Sequence, residues 1–177
     1  MSFEIKQLNP ETYRRQTRRA TLIIAVMFLA LAMLFSQLLV LAFGESGGDN
    51  FRWNVAGVVI GLGLSVALVR LRFWSQAWLA PSIYGWRLKR SLMRITNLMH
   101  QLDTGVAAGD PLAMKLLRFY HLGLTQMHQL DGNSSDLSQA QAEIELHRQR
   151  MEAAGLDSAQ TRLDPAWLDA AKRGFAA

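Results

Sequence analysis

Residues 20–43 read ATLIIAVMFLALAMLFSQLLVLAF, and how they are read decides the fold. The run has no charged residue, and only Thr21, Ser36 and Gln37 are polar. As a helix, a run of this length reaches roughly 36 Å at ~1.5 Å per residue, beyond the ~30 Å hydrocarbon core of a bilayer. The core helix of a small water-soluble domain needs no uncharged stretch of that length. The pattern predicts a transmembrane helix over 20–43.

A second apolar run, VAGVVIGLGLSVALV, covers 55–69, and GESGGDN at 44–50 separates the two with turn residues. The second span is read over 54–72, with Arg70 and Arg72 snorkelling from its end. Phe51 and Trp53 suit an interfacial aromatic belt. The connecting loop, 44–53, carries one cation, Arg52, against Glu45 and Asp49, whereas both outer flanks are rich in arginine. The positive-inside rule then predicts both termini in the cytoplasm and the loop in the periplasm, in a bacterial inner membrane.

Before the first span, the arm 1–19 carries Asn9-Pro10-Glu11, a cap, a first-turn proline and an acid at the positive end of a helix dipole. One continuous helix is expected from Pro10 to Phe43, and residues 1–8 receive no assignment. Arg14, Arg15, Arg18 and Arg19 cluster on one side at the membrane edge, where they set orientation and meet anionic headgroups. A twin-arginine export signal is the competing reading of Arg18-Arg19. The apolar run is too long for a signal h-region of ~7–15 residues, and a second run follows it. An uncleaved anchor is expected.

Gly57, Gly61 and Ser65 recur at four-residue spacing in the second span, and Ala32 with Ser36 offers the same pattern in the first. Small residues let helices approach closely in lipid, so these five are read as helix-packing positions, within the hairpin or toward another chain. No ionisable residue lies in the middle of either span, which argues against an ion or proton path within this chain.

Residues 73–94 interleave aromatic and basic side chains. Trp74, Trp78 and Trp86, with Arg70 and Arg72 just before them, are assigned to the headgroup layer. Pro81 is expected to break the helix there. Nucleic-acid binding by such a stretch is discounted beside two spans.

The remainder, 95–177, is expected to form a small cytoplasmic domain of about four helices. Leu88, Leu92, Ile95, Met99 and Leu102 make one seam, followed by a loop at 104–110. Asp110-Pro111 opens a strongly apolar helix to about Leu130, the expected centre of the domain. A third helix from near Asp136 sets Leu137, Ala140, Ile144, His147, Met151 and Ala154 on a narrow seam. Asp164-Pro165 opens a short fourth, docked by Trp167, Leu168 and Ala171. The fold class is all-α: a two-span hairpin followed by this domain.

Charge divides the same way. Residues 1–94 carry 12 Lys/Arg against 4 Asp/Glu, and 95–177 carry 7 against 10. The basic balance therefore belongs to the membrane segments and not to a nucleic-acid surface. The absence of cysteine excludes disulfides, thiolate metal sites and thiol nucleophiles. His121 and His128 share a helical face but lie about 10.5 Å apart along the axis, too far for one metal ion. No H-E-x-x-H or P-loop occurs. No catalytic residue, cofactor or metal site is assigned.

The opening NPETYRRQTRRATLI (9–23), the double span and the helical tail together resemble a family of uncharacterised proteobacterial inner-membrane proteins, a domain of unknown function. The resemblance covers most of the chain. It implies an inner-membrane location and supplies no functional residues. The sequence thus points to a place more than to an activity. The expected role is a membrane-anchored accessory or scaffolding protein, contacting another membrane protein, its own copies and anionic lipid; the alternative is a lipid-responsive signalling adaptor.

Overall fold

The computed structural model describes residues 2–133 and 135–174, the side chains of 135–139 excepted. Two compact units emerge: Arg15–Ile83, and Met1–Arg14 together with Tyr84–Ala177.

The first unit is a helical hairpin. Helix α1 runs unbroken over Pro10–Phe43, and α2 covers Phe51–Leu68 before a π-helical turn at Val69–Phe73. The Asn9 side chain accepts the Thr12 N–H at 3.0 Å, which fixes the start of α1. Asn50 ties the connecting loop: its Oδ1 accepts the Glu45 N–H and its Nδ2 donates to the Glu45 carbonyl. Only 6 % of the most apolar window of α1, and 17 % of that in α2 and its π turn, is buried within the molecule. A soluble core helix would bury most of such a window. Leu22, Val26, Leu29 and Met33 instead stand exposed around α1. Both helices are long and apolar enough to cross a bilayer, and their outward surface suits lipid rather than water.

The second unit is nearly all helix. It takes in α3 (Ala80–Thr96) from Tyr84 onward, then α4 (Met99–Ala107), α5 (Pro111–Asp131), α6 (Ser135–Ala153) and α7 (Pro165–Lys172). The Asp110 carboxylate accepts the N–H groups of Leu112 and Ala113, and the Asp164 carboxylate that of Ala166, so the cap-plus-proline device starts α5 and α7 as it starts α1. At the far end of α5, Gly132 takes the left-handed conformation, φ 75°, that closes the helix. Helix α5 is the centre of the unit. Leu116 and Phe119 are wholly buried and meet Ile95, Leu102, Leu168 and Ala171 from α3, α4 and α7.

The N-terminal arm belongs to this unit, where the sequence offered no assignment for residues 1–8 and set the arm apart. Strand β1 (Phe3–Glu4) pairs antiparallel with β2 (Arg162–Leu163), Phe3 opposite Leu163. The Phe3 ring meets the edge of Phe119 at 6.3 Å and tilts against Tyr84 at 5.6 Å. The Tyr84 hydroxyl accepts the Lys6 N–H at 3.0 Å. A ladder of two residues has no periodicity to betray it, and its partner lies at the other end of the chain.

Two boundaries also move. The compact unit begins at Tyr84 rather than at residue 95, because Leu88 and Leu92 of the expected hinge are buried with Tyr13 and Leu130. The seam from Leu88 to Leu102 is shared by two helices, broken at 97–98, and α4 runs on through Thr104–Ala107, leaving a shorter loop than the expected 104–110. Burial holds the seam in phase across the break: Leu88, Ile95 and Leu102 are all fully covered. Pro81 sits in the first turn of α3, as a breaker of the preceding helix should. In α6, His147 and Met151 are buried, Ala154 is exposed just beyond the helix end, and the side chain of Leu137 is not among those described.

Candidate functional site

The small-residue positions meet inside the hairpin. A Cβ on Gly57 would fall on the backbone of Ser36, and one on Gly61 would lie 2.6 Å from the Ala32 Cα. Such contacts require two backbones in close approach. Ser36 Oγ donates across the seam to the Asn54 carbonyl at 2.9 Å, and Ser65 Oγ donates to the Gly61 carbonyl at 2.7 Å within α2. Ala32, Gly57, Gly61 and Ser65 are buried. This face is occupied within the chain.

The arginine and tryptophan positions divide among three settings. Arg14 Nη1 reaches the carbonyls of Gln129 and Leu130 at 3.5 Å, placing a cation at the negative end of α5. That contact holds the arm to the domain, where the sequence had put Arg14 at the membrane edge. Its neighbours Arg15, Arg18 and Arg19 are exposed. Around the hairpin, Trp53 stacks on Phe43 at 5.1 Å with Arg52 over its ring. Arg70 lies over Trp74 at 4.6 Å, Phe73 packs against Trp78, and Arg72 is exposed. Trp86 stands apart from these, on α3 in the folded domain, half exposed with Arg90 over its ring at 5.1 Å.

A buried polar cluster was not anticipated. The rings of His121 on α5 and His147 on α6 meet edge to face, centroids 5.2 Å apart. His147 Nε2 lies 3.0 Å from the Met114 carbonyl, which fixes the proton on that nitrogen. Arg118 Nε donates to the Ser158 carbonyl at 2.7 Å. His121 Nδ1 and Arg118 Nη1 are buried with no hydrogen-bond partner among the described residues. Burial, then the neighbouring His147 and Arg118, hold the His121 pKa down to about 4, and burial lowers that of His147 as well. Both imidazoles are therefore neutral at pH 7. They border a cleft of about 200 Å³ with Asp103, Glu143 and Arg150 on its walls. Among the described residues no three His, Cys, Asp or Glu side chains converge as metal ligands. The sequence paired His121 with His128 on its own helix; its actual neighbour is a helix away, and no local spacing announces it.

The model of a family described as "Protein of unknown function (DUF3087)" matches residues 3–168, nearly the whole chain, and the chain belongs to that family. No curated protein and no solved structure matches it.

Proposed function

We propose that this member of a family without an assigned activity is a membrane-anchored accessory or scaffolding protein. Its hairpin crosses the inner membrane of a bacterium twice and presents the helical domain at the cytoplasmic face, to a larger membrane complex or to its own copies. The observation that carries the reading is the shared unit: Met1–Arg14 before the hairpin folds with Tyr84–Ala177 after it. Segments that fold together occupy one side of a bilayer, so the chain between them crosses an even number of times. Exposed Arg15, Arg18, Arg19, Arg70 and Arg72 flank the spans on that side and favour the cytoplasm. We assign no catalysis and no cofactor to this chain.

Extraction of the full chain from its native membrane in mild detergent, followed by sizing and identification of co-purifying chains, tests the role. An assembly larger than one chain in its micelle supports it. A single chain free of reproducible companions overturns it. The lipid-responsive alternative is favoured by one feature, the exposed face of α3.

A further inference from the structure

Helix α3 has two working faces. Gly85, Leu88, Leu92 and Ile95 turn into the domain, and all are buried. On the opposite side Trp86, Arg90 and Met93 follow at helical spacing, with Arg87 and Arg94 beside them, and all five are exposed. Met93 is 66 % exposed and Trp86 47 %, whereas Leu88, Leu92 and Ile95 of the same helix are buried. The only α3 cation in an ion pair among the described residues is Lys89, which meets Asp131 at 3.0 Å. Charge around this face is one-sided: residues 50–102 contain seven Lys/Arg and no Asp or Glu. Trp86 follows Phe73, the end of the second apolar helix, by only thirteen residues along the chain.

We infer that the outer face of α3 is a docking surface for anionic lipid headgroups of the membrane that holds the hairpin. Trp86 and Met93 enter the boundary between headgroup and acyl chain, and Arg87, Arg90 and Arg94 meet the phosphates around them. The arrangement is that of an interfacial helix, apolar tips ringed by guanidinium groups, yet its other face is the wall of a folded core. The domain thereby lies against the bilayer through one helix. This inference rests on the membrane reading above and names one partner of the domain.

The test uses the full chain, which has no native cysteine. A spin label on Met93→Cys, with Leu146→Cys on α6 as a second exposed position, is reconstituted in vesicles of phosphatidylcholine with or without phosphatidylglycerol. The label at 93 is expected to gain oxygen accessibility and lose accessibility to a water-soluble nickel chelate several-fold in the anionic vesicles, while the label at 146 stays aqueous. The effect is expected to vanish without phosphatidylglycerol, in about 1 M salt, and in the Arg87→Gln, Arg90→Gln, Arg94→Gln variant. An aqueous label at 93 in anionic vesicles overturns the inference. So does equal immersion in both lipids, or shielding from both reagents, which marks a second copy or another protein on this face. A chain stripped from the vesicles by alkaline carbonate overturns the membrane reading itself, and with it the inference; a retained chain with an aqueous label overturns the inference alone.

Discussion

Asp110 carries two backbone N–H groups at the start of the helix on which the domain is built. Replacing it with alanine leaves both without their acceptor and costs about 1 kcal/mol. A lower thermal midpoint for Asp110→Ala in detergent, with unchanged helical content, is the expected outcome. The histidine pair predicts a pH dependence. The folded state holds His121 near 4 against an ordinary value of 6.5, with His147 shifted the same way. Between these values the unfolded chain takes up protons that the fold refuses, so stability is full above pH 6.5 and falls as the pH drops toward 4. At His147, Glu143 on the cleft wall softens the effect, and Arg118 and Arg150 sharpen it. Denaturant midpoints measured from pH 7.5 to 5 should decline, and His121→Gln with His147→Gln should flatten the decline. The cap at Asp110 was legible in the sequence because its partners are two and three residues away. The histidine pair was not, since nothing in the sequence specifies which face of α6 lands on α5.

Gly61 belongs to the scale of whole helices. Its hydrogen atom faces the Ala32 backbone, and leucine there forces α1 and α2 apart. Gly61→Leu is expected to destabilise the hairpin by about 1–3 kcal/mol, read as a lower unfolding midpoint in detergent, with the size of any assembly unchanged. A loss of assembly without loss of stability would mean that the glycine face meets another chain. The four-residue spacing made this seam visible in the sequence, and its two possible partners could not be separated there. The seam from Leu88 to Leu102 was legible for the same reason, whereas its break at 97–98 was not: buried leucines keep their phase through a short irregular turn. Strand β1 was invisible because two residues carry no period and their partner lies 160 positions along the chain.

At the scale of the molecule, hydropathy made the hairpin legible, and the low burial of its apolar windows agrees with lipid around it. The union of residues 1–14 with 84–177 was not legible, because it depends on side chains such as Phe3 and Tyr13 finding a core assembled from distant helices. That union turns topology into a single question with a single answer for both flanks. The most direct test places one cysteine at a time in this cysteine-free chain, at Gln7, at Ser46 in the loop and at Asp169 on α7, all exposed positions. Intact bacterial cells are then treated with a thiol reagent that passes the outer membrane and not the inner. The account predicts labelling at Ser46→Cys alone, with Gln7→Cys and Asp169→Cys reacting only after the inner membrane is opened. Labelling of Gln7→Cys or Asp169→Cys in intact cells, or protection of all three until the inner membrane is opened, would contradict it.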